Sequence, residues 1–229
     1  MIDQLLDFSP NIAIETPLIL VILVTLEAVL SADNAIALAA IAQGLEGQKL
    51  QRQALNFGLV AAYVLRMTLI FTATWVIQFW QFEFLGAAYL LWLVFNYFIS
   101  RNQAEDENQP KAKFTSFWQA IPMIAFTDLA FSLDSVTTAI AVSDKTWLII
   151  TGGTIGVITL RFLAGLFIRW LDEYVHLEDA GYITVGFVGL RLLLRVIAPN
   201  LVPPQWALIS AVALVFVWGF SEKTPQSDN

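Results

Sequence analysis

Seven stretches of this chain are apolar for about the length of a bilayer crossing: near 17–42, 55–79, 84–100, 116–142, 147–170, 180–198 and 204–220. A helix needs roughly 20 such residues to pass the hydrocarbon layer. No water in that layer satisfies a free N–H or C=O, so only helices and closed barrels cross it. These runs predict an all-α, polytopic membrane protein with seven transmembrane helices. Composition agrees: 58% of the 229 residues are hydrophobic and 14% are charged, whereas a soluble domain has about a quarter charged. Thr16-Pro17 predicts the start of the first span and Pro203-Pro204 that of the last. Pro122 predicts a kink in the fourth. MIDQLLDFSPNIAIETP lacks the basic region of a cleavable signal, so the first span is expected to stay in the mature protein.

The hydrophilic stretch RNQAEDENQPKAK, Arg101 to Lys113, predicts a flexible polar linker over 101–115 on the cytoplasmic side. It divides one membrane domain, 1–229, into a first half over 17–100 and a second over 116–198, with an extra helix over 204–220. The tail SEKTPQSDN after Phe220 is expected to be disordered. Lys49, Arg52, Arg101, Lys111, Lys113, Arg169 and Lys223 fall on one side of the predicted spans. Lys145 and Arg195 fall on the other. The positive side faces the cytoplasm, which places the N-terminus outside and the C-terminus inside. Trp75, Trp80, Trp118, Trp147, Trp170 and Trp206 near the span ends read as an interfacial belt.

Several function classes drop out. There is no basic patch for nucleic acid. With no cysteine and a single histidine, His176, there are no disulfides or thiolate metal sites. No nucleophile–base pair stands out, so no enzyme is expected, and no permanently bound cofactor. His176 reads as a solvated loop residue in an acidic loop. Gly152-Gly153-x-x-Gly156 lacks the context of a nucleotide site and reads as close helix packing.

Two of the apolar runs carry acids. LEAVLSADNAIALAAIA, Leu26 to Ala42, contains Glu27 and Asp33, and TDLAFSLDSVTTAIAV, Thr127 to Val142, contains Asp128 and Asp134. Glu27-x-x-x-Ser31-x-Asp33-Asn34 matches Asp128-x-x-x-Ser132-x-Asp134-Ser135 without a gap. Further on, Arg66 matches Arg161 and Phe82-Glu83 matches Leu177-Glu178. Each half has three spans, and a repeat of odd span number inserts upside down. The pattern predicts an inverted 3+3 repeat plus one C-terminal helix, a device of secondary transporters.

An ionised acid at the bilayer centre costs roughly 2.5–3.5 kcal/mol on insertion scales, so the four must face the interior, be paired or be protonated. Glu27, Ser31 and Asn34 share a helix face, while Asp33 points about 120° away; Asp128, Ser132, Ser135 and Asp134 repeat this. The aspartates then either look toward other partners, or the helices unwind at Ser31–Asp33 and Ser132–Asp134. Glu27 and Asp128 are expected to face one another near the midplane. Carboxylate, amide and hydroxyl oxygens without sulfur or imidazole suit a hard cation: Mg2+, Ca2+ or Mn2+. The candidate ligands are Glu27, Asp33, Asn34, Asp128, Asp134 and Ser135. Ser31 and Ser132 are supporting hydroxyls, and Arg66 and Arg161 buried counter-charges. Arg191 is a further mid-span cation.

LSADNA, Leu30 to Ala35, and FSLDSV, Phe131 to Val136, resemble the paired motifs of the TerC family of integral membrane proteins, and the resemblance runs from Pro17 to about Phe220. TerC-like proteins belong with the LysE-type exporters. Bacterial members act in Mn2+ efflux, others are associated with tellurite resistance, and a plastid relative with thylakoid membrane biogenesis. The resemblance implies export of Mn2+ as substrate through the acids above, in a plasma (inner) membrane, or in a thylakoid if the source is photosynthetic. The alternatives are a membrane assembly protein whose polar core is structural, and a cationic amino-acid exporter.

Overall fold

The computed structural model describes residues 10–107, 116–143 and 145–224. In chain order the elements are α1 (Pro10–Gln43), α2 (Gln48–Val76), α3 (Trp80–Glu107), α4 (Phe117–Val142), α5 (Thr146–Glu173), α6 (Leu177–Ile197), a short 3-10 turn (Pro199–Leu201) and α7 (Gln205–Gly219). Among the described residues there is no strand, only an isolated bridge between Tyr174 and Lys223. Five helices, α2 through α6, hold stretches long and apolar enough to cross a membrane. The apolar α7 has 15 residues, about 22 Å of helix.

Three expectations are revised. The first helix begins at Pro10, with Pro17 inside it; proline fits the first helical position, and Pro17 removes one hydrogen bond without ending the helix. Pro122 lies inside α4, as its sequence position implied. The linker expected from 101 is helical as far as Glu107, because Arg101 pairs with the buried Asp179 and extends α3 beyond its apolar part; 108–115 fall outside the described residues. The tail is tied down as far as Thr224. The Val175 N–H donates to the Glu222 carbonyl (3.1 Å) and the Thr224 N–H to that of Glu173 (2.8 Å). Lys223 Nζ lies 2.6 Å from Glu173 Oε1. His176 belongs to this clasp: its ring stacks on Trp218 at 4.9 Å and its Nε2 meets Glu222 Oε2 at 3.1 Å. Residues 225–229 fall outside the described ones.

The bundle interleaves its two halves. α1 packs chiefly against α5, α2 against α4 and α3 against α6, while α1 also crosses α4. Glycines make two of these approaches possible. A Cβ on Gly152 would sit 3.3 Å from Leu23 Cβ, and one on Gly156 would sit 2.7 Å from Glu27 Oε2, so the expected glycine groove on α5 receives α1. A Cβ on Gly58 of α2 would meet Ile124 Cγ2 of α4 at 2.5 Å.

Large apolar side chains face outward while several polar ones lie inside the apolar core. Phe162, Trp118 and Val217 are more than 70% exposed, whereas Asp128, Ser132 and Thr184 are fully buried. A continuous apolar exterior of this kind is what a bilayer covers. Aromatic clusters stand near both ends. Trp75, Phe79 and Phe82 gather at the α2–α3 turn. Trp170, Tyr174 and Phe220 gather where α5 and α7 finish.

The contact at Gly58 yields a test of the fold. Gly58→Ala overpacks the α2–α4 contact and is expected to destabilise the protein by about 1–3 kcal/mol. Adding Ile124→Ala leaves Cβ 2.7 Å from the new methyl and empties a buried site, so it should not restore the native midpoint. Thermal unfolding in detergent measures both, and an unchanged midpoint in Gly58→Ala would refute the close approach.

Candidate functional site

α1 and α4 cross inside the bundle and present their acids to each other and to α2. Both helices are continuous through Ser31–Asp33 and Ser132–Asp134, so the aspartates reach separate partners and no backbone is unwound. Arg66 of α2 enters between the two helices. Its Nη1 donates to Glu27 Oε2 (2.9 Å) and its Nη2 to Asp128 Oδ1 (3.0 Å). The Asn34 amide Nδ2 donates to the same Asp128 oxygen (2.8 Å). Glu27 and Asp128 therefore do face one another, with a guanidinium between them. All these groups are buried, and an ion triad out of water holds only when its members satisfy one another.

Asp134 points the other way, as the 120° offset requires. It pairs with Arg191 and Arg195, both of α6. Arg195 also reaches Glu83 of α3 (3.4 Å). Asp33 has no ion pair among the described residues; its Oδ1 accepts the N–H of Asn34 (2.9 Å).

Between the two ion clusters lies a cavity of about 20 Å³, lined by Glu27, Ser31, Asp33, Asn34, Asp134 and Ser135, with Arg66, Phe131, Val188 and Leu208 closing it. That is room for about one water or one bare ion. Asn34 Oδ1 is buried there without a hydrogen-bond partner. Its amide nitrogen is committed to Asp128, so this oxygen is the free acceptor.

Seven of the ten residues expected at the site line this cavity. Asp128 does not, because Arg66 and Asn34 hold it back. Ser132 does not either: its hydroxyl donates to the Asp128 carbonyl one turn earlier (2.7 Å), a common bond for serine in a membrane helix. Arg161 is the clear departure from the expected set. It is partly exposed and donates to Asn56 of α2, so it neutralises none of the acids. Nor are the acids gathered into a ready ligand set: among the described residues, no three Asp, Glu or His side chains are grouped closely enough to hold a metal. The arginines hold them apart.

A larger cavity, about 620 Å³, opens where α1, α3 and α5 finish and α2, α4 and α6 begin. Gln51, Asn96, Ser100, Asp172 and Glu178 are among the residues lining it. Tyr97 and Tyr182, stacked at 3.7 Å, form part of its wall. On α4 the large cavity reaches Met123 and the small one Phe131, eight residues or about 12 Å apart. Tyr89 closes the interval, its hydroxyl donating to the Met123 carbonyl (3.0 Å) and lying 3.1 Å from Thr127 Oγ1. Neither this cavity nor the arginines' choice of acid has a local sequence signal, since each joins helices distant in the chain.

The model of the family described as "Integral membrane protein TerC family" matches residues 13–226. The chain is 36% identical over 176 residues to the membrane protein YceF of Bacillus subtilis (strain 168), covering 74% of this chain and 68% of the relative. It is 32% identical over 197 residues to the membrane protein YkoY of the same organism, covering 79% of this chain and 60% of that one. To the thylakoid membrane protein TERC, chloroplastic, of Arabidopsis thaliana it is 26% identical over 172 residues, covering 63% of this chain and 45% of the relative. Of the last two, then, it spans less than two thirds. No solved structure matches the chain. The relatives are membrane proteins by name, and the apolar exterior described above is that of an integral, multi-pass one. The chain belongs to the TerC family of integral membrane proteins.

Proposed function

We propose that the chain is a secondary transporter, not an enzyme, that exports a hard divalent cation by alternating access, with Mn2+ as the preferred substrate. One observation carries this reading. Around the small cavity, the carboxylates of Glu27, Glu83, Asp33, Asp128 and Asp134 stand against three guanidiniums, those of Arg66, Arg191 and Arg195. With all of them ionised, two negative charges remain unbalanced in a medium that penalises each heavily. One divalent cation, or two protons, balances them. The cavity has room for one dehydrated ion, and the acids, amide and hydroxyls on it offer oxygen ligands without sulfur or imidazole, which suits Mn2+, Mg2+ or Ca2+ over softer metals.

In this reading Glu27, Asp33, Asn34, Asp134 and Ser135 take up the ion, with Ser31 assisting. Asp128 joins when Arg66 releases it. Proton uptake by the same acids returns the empty carrier. The architecture we assign is seven spans, with α1–α3 and α4–α6 as inverted repeats in one membrane domain and α7 outside them. The interleaved packing supports this: exchanging the halves turns the α1–α5 contact into α4–α2 and leaves α3–α6 unchanged. The positive-inside rule puts the 620 Å³ cavity on the cytoplasmic side and the N-terminus outside. We assign the protein to an inner membrane, as the name of its Escherichia coli relative, inner membrane protein YgdQ, suggests, or to a thylakoid in a photosynthetic source.

A second reading is a membrane assembly protein whose polar core is glue. The mutual pairing of Arg66 with Glu27 and Asp128 favours it. A lysine-sized substrate is disfavoured, because the small cavity holds only about 20 Å³.

Two measurements separate these readings. Asp33→Asn and Asp134→Asn are each expected to abolish Mn2+ tolerance in cells while the protein still inserts at native levels; normal tolerance in both would remove these residues from the transport site. In purified protein, Mn2+ at a hundred times its Kd should stabilise the native chain by about 2.7 kcal/mol. Asp33→Asn should lose that gain, and Zn2+ should give less. A thermal midpoint indifferent to Mn2+, Mg2+ and Ca2+ alike would leave the structural-core reading.

A further inference from the structure

The two ends of the bundle carry different chemistry at equivalent positions. The α1 motif aligns with that of α4 at a spacing of 101, pairing Asp33 with Asp134. The third helices align at 95: Glu83 with Glu178, and Gly86 with Gly181. Burial bears this register out, since the buried Ala87, Leu90 and Leu93 of α3 fall on the buried Tyr182, Val185 and Val188 of α6. The same register pairs Arg191 with Asn96 and Arg195 with Ser100.

At the end where α2, α4 and α6 finish, Arg191 and Arg195 hold Asp134, and Arg195 holds Glu83. None of these four residues lines the 620 Å³ cavity, and Asp134 alone of them lines the small one. At the opposite end, their counterparts Asn96, Ser100 and Glu178 line the 620 Å³ cavity. Neither α4 with α6 nor α1 with α3 is among the extensive helix contacts. A long guanidinium can bridge such a gap with its forked donors. An asparagine or serine is too short to do so, and neither carries the charge that would draw an aspartate across.

We propose that Arg191 and Arg195 form an ionic latch on Asp134 and Glu83 that seals this end of the bundle, and that at the other end, where Arg101 of α3 pairs with Asp179 of α6, Asn96 and Ser100 make no equivalent bridge to Asp33. The proposal rests on the transporter reading and adds the device that selects which side is open. The latch biases the empty carrier toward the conformation described here, open at the cavity end. A divalent cation in the small cavity competes with the arginines for Asp134, so loading itself weakens the latch. An ion approaching from the sealed side meets two fixed positive charges first. The latch is therefore also a barrier to backflow.

The test reads accessibility, not transport. The chain has no cysteine, so Leu208→Cys places a single thiol on the small cavity, in the first turn of α7 at the latched end. In oriented vesicles without metal, a membrane-impermeant thiol reagent is applied from the latched side. With both arginines present, labelling should be slow. In Arg191→Gln/Arg195→Gln it should speed up about tenfold, the population shift expected when a closed state loses its lock. Arg191→Lys/Arg195→Lys, which keeps the charges, should stay nearer the native rate. If the double Gln variant does not accumulate, Arg195→Gln alone carries the comparison, with an increase of about threefold. Equal rates in the native chain and the Gln variant would overturn the latch, as would equal acceleration by the Lys pair. Because no metal is present, a failed latch leaves the Mn2+ reading standing, and a failed Mn2+ reading leaves the labelling result interpretable.

Discussion

A guanidinium between two carboxylates, far from water, is the interaction on which the centre of this protein depends. Arg66 holds Glu27 of α1 and Asp128 of α4. Each of the three charges alone would be strongly disfavoured by burial, and removing one would strand the others. Paired together, they clamp α1 to α4 through α2. They also set Asp128 back from the small cavity and leave Glu27, Asp33 and Asn34 to line it. A single arginine thus decides both how the central helices cross and which oxygens remain for an ion.

Close packing makes that clamp possible. α1 reaches the centre because Gly152 and Gly156 open a groove for it on α5, and Glu27 lies directly over Gly156. Between membrane helices there is no hydrophobic effect to drive association, so close backbone approach and buried polar bonds carry the load. Here the two coincide, since the glycine that admits α1 also seats the acid that Arg66 grips. Packing and charge placement are one constraint at this point.

The two halves share this scaffold but not its electrostatics. Arg66 is central, whereas Arg161, its match in the second half, lies against Asn56. Arg191 and Arg195 have uncharged counterparts in Asn96 and Ser100. In the transporter reading proposed above, a strictly symmetric carrier would balance its two open states. Divergence at a few long, charged side chains is a direct way to favour one of them, because a charge pair in a low-dielectric interior acts strongly, while the helix packing beneath it stays as it is.

What the amino-acid sequence determined by itself is local. Helix identity, approximate span length and the matched acidic motifs follow from composition and spacing, since a segment in lipid must satisfy its own backbone whatever its neighbours do. The six-residue offset from Glu27 to Asp33 was legible too, but it left open whether the aspartates face other partners or the helices unwind, and the continuous helices decide for the first. The glycine pattern on α5 announced a close helix contact. What only the tertiary structure decided is which charges meet. Asp134 finds Arg191 and Arg195 some 60 positions on, Arg161 misses the acids, Arg101 draws α3 on past its apolar part to Asp179, and the tail folds back onto Glu173. Pairings of this kind depend on helix crossings and on side chains long enough to bridge them, and spacing along one helix carries no information about either.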